Sequence, residues 1–318
     1  MLRQSNLKLI TRLAAVALLG ASLIFLFFAV RKNWATLDAA VVLQNIPLIL
    51  AGGLVWAGAL FVQAFAWSSY VARGQSDVRY RLILQYGLGN IAKYLPGNVL
   101  HFAARQAAVR AENIPQWRAV AASVGEIIGL SSAALVLGGA VSLASAGSTM
   151  FHKLQDFLPA LPSVGSMIVA AAIAAVLTAI ALRHFPGQLN SEDLRRYLIA
   201  GFKFFLSSVV YFALIASIVL WLSPESGVVT DVPVFIAGAY LLAWLVGYVL
   251  PGASAGIGVR EAAFLIIAQT GASGAVDEPA LLVLITLLRL VNILGDLFNF
   301  TLCTALQSRA LRQNTGKQ

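Results

Sequence analysis

The chain has little charge and a single cysteine. Lysine, arginine, aspartate and glutamate make up 11% of its 318 residues, whereas hydrophobic residues make up 59%. Soluble domains average about 25% charged residues, so this composition excludes an ordinary soluble domain. The lone Cys303 excludes an intrachain disulfide and a cysteine-rich metal site. We attribute the net charge of +9 to cytoplasmic loops that face anionic lipid, and we expect no nucleic-acid partner.

Long apolar runs predict membrane crossings. A helix needs about 20 apolar residues to cross roughly 30 Å of hydrocarbon. The sequence therefore predicts an all-α, polytopic integral membrane protein that forms a single membrane domain over residues 1–318. The expected full spans, six in number, are residues 13–30, 46–70, 119–146, 164–182, 198–222 and 279–306. The first of these differs from a signal peptide because no small-residue cleavage site follows it closely.

One short motif occurs twice. Leu95-Pro96-Gly97 is followed by seven residues and Arg105, and Leu250-Pro251-Gly252 is followed by seven residues and Arg260. The two prolines are 155 residues apart, which is close to half of the chain. A shift by the same distance superposes the other hydrophobic segments as well. We therefore predict two repeats, over residues 1–147 and 164–306.

Each motif interrupts an apolar segment. The flanking pieces of segment 82–111 have only about 13 residues each, or roughly 20 Å of helix, too short to cross the membrane alone. We predict broken, re-entrant helical hairpins at 82–111 and 233–270. Residues 234–250 are long enough to span, so the second hairpin has full crossing as its alternative.

The distribution of positive charge predicts the orientation. With the N-terminus inside, 14 lysines and arginines fall in cytoplasmic segments and three fall outside. Both termini are then cytoplasmic, in the cytoplasmic (inner) membrane. Each half crosses an odd number of times, so the second repeat is inverted. The inside residues are Arg3, Lys8, Arg12, Arg73, Arg79, Arg81, Arg110, Arg118, Arg183, Arg195, Arg196, Arg309, Arg312 and Lys317, and the outside ones are Arg31, Lys32 and Lys153.

The half-helices that follow the two motifs are candidate anion sites. They are expected to begin near Asn98 and Ile257, and free N–H groups at such ends attract anions in mid-membrane. Arg105 and Arg260 follow within a turn or two, and a guanidinium binds phosphate through paired hydrogen bonds. The alternative is that both arginines are structural, pairing with buried carboxylates or capping carbonyls. The full predicted substrate-binding set is Lys93, Gly97, Asn98, His101, Arg105, Gly252 and Arg260.

Other charges in the apolar segments require partners. Each costs about 2.5–3.5 kcal/mol at a helix centre unless it is paired or hydrated. A polar stripe in the last span, at steps of three and four, predicts that this face looks into the protein. We expect no metal or cofactor, because no HExxH, paired aspartates or G-K-S/T loop is present. The predicted charge partners are Glu126, Glu261, Arg289 and Asp296, and the stripe is Arg289, Asn292, Asp296 and Asn299.

These residues carry a resemblance to a known family. The run from Tyr86 through Gly89-Asn90 and Lys93-Tyr94 to Gly97, with Arg105 and Glu126, resembles the transmembrane region of lysylphosphatidylglycerol synthases, as does the run from Leu250 to Glu261. The resemblance implies a flippase module without the cytosolic aminoacyl-transferring domain. Where the family often has an arginine after the glutamate, this chain has Ile127, so the resemblance identifies no partner for Glu126.

Three function classes follow from these patterns. The favoured one is a flippase-like protein that binds and translocates a phosphate-bearing lipid, either a phospholipid or a polyprenyl phosphate. A membrane enzyme acting on a lipid-linked substrate is an alternative, although an acid–base or metal cluster is missing from the motifs. The third is a non-transporting partner or scaffold of a lipid-synthesis enzyme. We expect that the chain is not itself an enzyme.

Overall fold

The computed structural model describes residues 39–94, 100–157, 191–228, 233–249, 258–271 and 276–315, and every regular element within them is helical. Both L-P-G turns and the predicted spans 13–30 and 164–182 lie outside the described residues. The helices are α1 Ala39–Gln44, α2 Ile46–Ala72, α3 Ser76–Asn90, a 3₁₀ turn Ile91–Tyr94, α4 Leu100–Ala111, α5 Gln116–Phe157, α6 Ser191–Leu222, a 3₁₀ turn Pro224–Ser226, α7 Pro233–Val249, α8 Val259–Gly271 and α9 Glu278–Thr315.

Among the described residues, four helices are long and apolar enough to cross a membrane. They cover Ile46–Ala72, Gln116–Ser142, Leu198–Leu222 and Glu278–Ala310. Each coincides with a predicted span, so the all-α class and these candidate spans are confirmed. The total of six spans stays a prediction.

Two helices extend beyond their predicted spans. Helix α6 starts at Ser191, before the span 198–222, and no proline or glycine interrupts residues 191–200. Helix α5 runs to Phe157, beyond the span 119–146, and the next proline in the sequence is Pro159.

The long helices pack as a bundle. Helix α2 contacts α9 and α6, α5 contacts α6 and α7, α9 contacts α3, and α7 contacts α8. One large apolar cluster joins α2, α5, α6, α7, α8 and α9, and its fully buried side chains include Trp56, Phe212, Phe235 and Leu281. A smaller cluster around Trp67 joins α2, α3, α4 and α5.

The start of α3 and the end of α4, on either side of the first break, lie at the same end of the bundle. Arg81, near the start of α3, donates to Glu112, just past the end of α4, at 2.7 Å. Helix α4 has 12 residues, or about 18 Å, which is shorter than the hydrocarbon core. Helices α3 and α4 also contact each other, and their arrangement as the re-entrant hairpin predicted over 82–111 stays a prediction.

The turn after α6 lies close to the first turn of α9. A Cβ at Gly227 would lie 3.9 Å from the Cβ of Ala280, the third residue of α9. The re-entrant hairpin over 233–270 stays a prediction, and the two helices within it, α7 and α8, pack on each other. Their 17 and 13 residues correspond to about 26 and 20 Å.

Candidate binding site

A buried polar cavity lies at the middle depth of the bundle. It has a volume of about 70 Å³ and takes residues from all four candidate spans. Leu60, Leu130, Tyr211 and Asn292 each lie within two residues of the midpoint of their span. The lining residues are Trp56, Leu60, Gln63, Tyr86, Asn90, Lys93, His101, Arg105, Glu126, Leu130, Tyr211, Trp244, Gly247, Tyr248, Arg260 and Asn292.

Arg105 reaches this cavity from α4 and is held by a carboxylate. Its Nη1 donates to Glu126 Oε2 at 2.6 Å, and the Tyr86 hydroxyl donates to the other carboxylate oxygen. The guanidinium carbon also lies 3.7 Å from the centroid of the Tyr86 ring. Both members of the ion pair are buried. The alternative of a carboxylate-paired arginine thus holds for Arg105, and Glu126 has its partners.

Asp296 on α9 gathers donors from the residues just before the first break. Its carboxylate accepts from Lys93 Nζ at 2.8 Å, from Asn90 Nδ2 at 3.1 Å and from the Tyr94 hydroxyl at 2.5 Å. Lys93 and Tyr94 belong to the 3₁₀ turn that leads into Leu95-Pro96-Gly97. Asp296 therefore fixes the end of α3 and this 3₁₀ turn against the last span.

A second ion pair fixes the start of α8. Glu261 accepts from Arg289 Nε on α9, and its other oxygen accepts from the backbone N–H of Gly258 at 2.6 Å. Gly258 has a φ of +85°, a conformation that glycine adopts without steric cost. Helix α9 thus holds both broken segments, through Asp296 and through Arg289. The predicted inward-facing stripe is confirmed, because Arg289, Asn292, Asp296 and Asn299 are all buried.

Arg260 differs from the other buried cations. It is 7% exposed, and no carboxylate oxygen of the described residues lies within 4 Å of it, as the ion pairs in that part of the chain show. With the Asn292 amide oriented to donate to Asp296, its carbonyl oxygen accepts from Arg260 Nη1 at 3.2 Å. The guanidinium also lies 5.7 Å from the centroid of Trp244. Among the described residues, the direct contacts of Arg260 are therefore an amide oxygen and a ring face, and none is an ion pair.

The charges in and around the cavity do not cancel within the described part of the chain. Lys93, Arg105, Arg260 and Arg289 face Glu126, Glu261 and Asp296; all are buried except Lys93 and Glu261, which are partly exposed. Four cations against three carboxylates leave one positive charge in excess. A buried charge without a counterion is costly, so this surplus favours a bound anion.

Five residues that line the cavity each carry a buried polar atom without a hydrogen-bond partner among the described residues. The atoms are Trp56 Nε1, Gln63 Oε1, His101 Nδ1, Arg105 Nε and Arg260 Nε. The indole and guanidinium nitrogens are obligatory donors. Since buried polar groups are normally paired, this wall matches an occupant rich in hydrogen-bond acceptors.

The predicted site residues meet in part. Lys93, His101, Arg105 and Arg260 line one cavity, although Lys93 also serves Asp296. Gly97, Asn98 and Gly252 lie outside the described residues. The described parts of the half-helices start at Leu100 and at Val259, each within two residues of the starts predicted near Asn98 and Ile257.

Sequence reasoning missed the aromatic part of the wall. Trp56, Tyr211, Trp244 and Tyr248 were given no role, and neither was Gln63. A signal was present, because Trp244 and Tyr248 are four residues apart, and Trp56 and Gln63 are seven apart, so that each pair shares one helical face. Aromatic residues in an apolar helix are more commonly lipid-facing or core residues, and only the packing distinguishes the cases.

Fold and site together define a helical protein with four candidate membrane spans and a buried, cation-rich cavity at their middle. Within the described residues, no group of three or more His, Cys, Asp or Glu side chains is arranged to hold a metal ion. Comparison with protein-family models, curated proteins and solved structures gives no match to this chain.

Proposed function

We propose that the protein is flippase-like: it binds the phosphate of a lipid in the central cavity and carries the lipid between the two leaflets. One observation carries this proposal. Arg105 and Arg260, which hold the same place in two motifs 155 residues apart, line a single buried cavity at mid-depth. Two fixed cations at that depth match a phosphate that must pass the membrane centre.

The two arginines have different roles in this proposal. Arg260 supplies the uncompensated positive charge that an anionic head group neutralises. Arg105 is already paired with Glu126, so it offers its free Nε–H as a positioned donor. His101 and Trp56 add further polar contacts on the same wall. A cavity of about 70 Å³ holds only a head-group fragment, so the acyl chains stay in the surrounding membrane.

Inverted repeats are part of the proposal, and the helix contacts support them. A shift of 155 residues relates α2 to α6, α3 to α7, α4 to α8 and α5 to α9. Under this exchange the α5–α6 contact becomes the α9–α2 contact, and α5–α7 becomes α9–α3; all four are present. The α2–α6 contact maps onto itself. Such pairing is what a two-fold relation between the halves produces.

The proposal includes a topology and a location. The chain has six full spans and two re-entrant hairpins in the cytoplasmic membrane, with both termini inside. The resemblance to the transmembrane region of lysylphosphatidylglycerol synthases fits this setting. We propose translocation without aminoacyl transfer, and the lipid class as a phospholipid or a polyprenyl phosphate.

The test is reconstitution of the pure protein in liposomes that contain head-group-labelled phosphatidylglycerol. A membrane-impermeant quencher then reports how much labelled lipid changes leaflet. We expect transfer with the wild type, almost none with Arg260→Gln, and an intermediate rate with Arg260→Lys, which keeps the charge but loses the planar fork. Arg309→Gln removes one charge from an exposed position on α9 and is the matched control.

The outcomes separate the three function classes. Transfer that requires Arg260 supports the proposal. Chemical conversion of the labelled lipid would indicate a membrane enzyme. A folded wild type that neither transfers nor converts the probes would indicate a partner or scaffold, and full activity of Arg260→Gln would contradict the assignment of the cavity.

A further inference from the structure

A second concave surface lies on the outside of the bundle, between α2, α3 and α6. Its volume is about 1100 Å³ and its wall is mainly apolar. Phe61, Phe65 and Leu206 are among the lining residues. Helix α2 presents Leu60 and Gln63 to the central cavity, so the two sites use different faces of that helix. We call this surface the outer groove.

The outer groove carries two cations at one end. Arg79 of α3 and Lys203 of α6 both line it, beside Gly74 at the end of α2. Neither side chain takes part in an ion pair within 4 Å among the described residues. The Arg79 guanidinium lies 5.3 Å from the centroid of the Phe65 ring. The charge distribution along the chain predicts that this end is cytoplasmic.

We propose that the outer groove binds a phospholipid of the cytoplasmic leaflet. The lipid phosphate contacts Arg79 and Lys203, and an acyl chain lies along Phe61, Phe65 and Leu206. This site does not depend on translocation through the central cavity, since it requires only that the helices are in a membrane.

The charges select this occupant over a helix of the same chain. The apolar runs 13–30 and 164–182 are the candidate helices, and neither contains a carboxylate. Either of them would cover the apolar wall and leave Arg79 and Lys203 without an anion. A phospholipid satisfies both parts of the groove, because its phosphate and its acyl chains are separated as the cations and the apolar wall are.

The test uses phosphatidylglycerol with a photoreactive acyl chain, incorporated into proteoliposomes of the full chain. After irradiation, mass spectrometry maps the labelled residues. We expect labelling concentrated at residues 58–66 and 203–210. Arg79→Gln and Lys203→Gln should each lower it about fivefold, the effect of removing one cation near an anionic lipid. Arg309→Gln, at the same predicted membrane face but away from the groove, should leave it unchanged.

A second pair of variants fills the groove. A Cβ at Gly58, which lines the groove, would meet no atom within 4 Å, and the same holds for a Cβ at Gly139 on α5, which does not line it. Gly58→Leu should abolish labelling without lowering the melting temperature. Gly139→Leu should leave both the labelling and the melting temperature unchanged.

Even labelling of all lipid-facing helices would overturn the proposal. A lower melting temperature of Gly58→Leu with no labelling would overturn it too, because a segment of the chain then fills the groove. Loss of transfer in Arg260→Gln with groove labelling intact would separate the two sites.

Discussion

At the residue scale, the two motif arginines occupy unlike environments although the sequence presents them as equivalents. Arg105 is ion-paired with the buried Glu126, whereas Arg260 has only Asn292 and the face of Trp244. Removal of one partner of a buried ion pair leaves the other charge buried and unpaired. Removal of a cation that has no counterion leaves no such unpaired charge. The two positions should therefore respond differently to the same substitution.

Arg105→Gln is expected to destabilise the protein by about 3–5 kcal/mol, because it leaves the Glu126 carboxylate buried with only Tyr86. Arg260→Gln should destabilise the protein by no more than about 1 kcal/mol, the value of one hydrogen bond, and relief of the uncompensated buried charge acts in the opposite direction. Denaturation in detergent checks both. The double variant Arg105→Gln, Glu126→Gln should recover much of the loss, and no recovery would mean that the pair is not the source of the effect.

The ion pair between Arg81 and Glu112 lies outside the predicted spans and allows a pH test. The hydrogen bond from Arg81 lowers the pKa of Glu112 from its usual value near 4.5. A carboxyl with a depressed pKa stabilises the fold above its unfolded pKa, and this contribution is lost as pH falls through the folded pKa. Arg81 is half exposed, so the pair contributes at most about 1 kcal/mol.

Glu112→Gln should accordingly melt slightly below the wild type at pH 7. The difference between the two should begin to shrink below the unfolded pKa, about 4.3, and vanish once the pH lies below the depressed folded pKa of Glu112. Melting curves from pH 7 into the acid range provide the measurement, with added salt as a control that also reduces the difference. A gap that does not shrink at all as the pH falls below the unfolded pKa would show that Glu112 acts through packing instead of charge.

At the element scale, small residues set how closely the helices approach. A Cβ at Gly129 of α5 would lie 2.8 Å from the carbonyl oxygen of Phe204 in α6, and a backbone atom cannot turn aside. A Cβ at Gly139, ten residues further along the same helix, meets nothing within 4 Å. The α5–α6 contact therefore depends on the absence of a side chain at one of these glycines only.

Gly129→Ala is expected to cost about 1–3 kcal/mol, the usual penalty of overpacking. Gly139→Ala should be neutral or stabilising by up to about 1 kcal/mol, because alanine favours helix over glycine. Thermal unfolding of the two variants in the same detergent gives the comparison. Equal stability of both would contradict the close α5–α6 contact.

At the scale of the whole molecule, the sidedness of the two hairpins is the most direct test of inversion. In a Cys303→Ser background, a cysteine at Asn98 should react with polar reagents mainly from the cytoplasmic side, and one at Ala255 mainly from outside. Maleimide labelling of oriented vesicles, with membrane-permeant reagent as the control, measures this. Reaction of both positions from the same side would contradict the inverted repeats.

The sequence by itself determined the helical class and the four described spans. These features depend on apolar run length and on proline and glycine breaks, which are local properties of the chain. It also identified Lys93, His101, Arg105 and Arg260 as candidates, because a charge or imidazole in an apolar segment has few other uses. The stripe on α9 followed from helical periodicity alone.

Only the tertiary structure decided which charges pair and what encloses the cavity. Glu126 had three possible arginine partners in the sequence, and the packing of α4 on α5 selects Arg105. Arg289 lies closest to Glu261, so Arg260 keeps the unpaired charge. Trp56, Tyr211 and Trp244 come from three helices far apart in the chain. Their convergence depends on how those helices cross, and side-chain spacing along one helix carries no information about distances between helices.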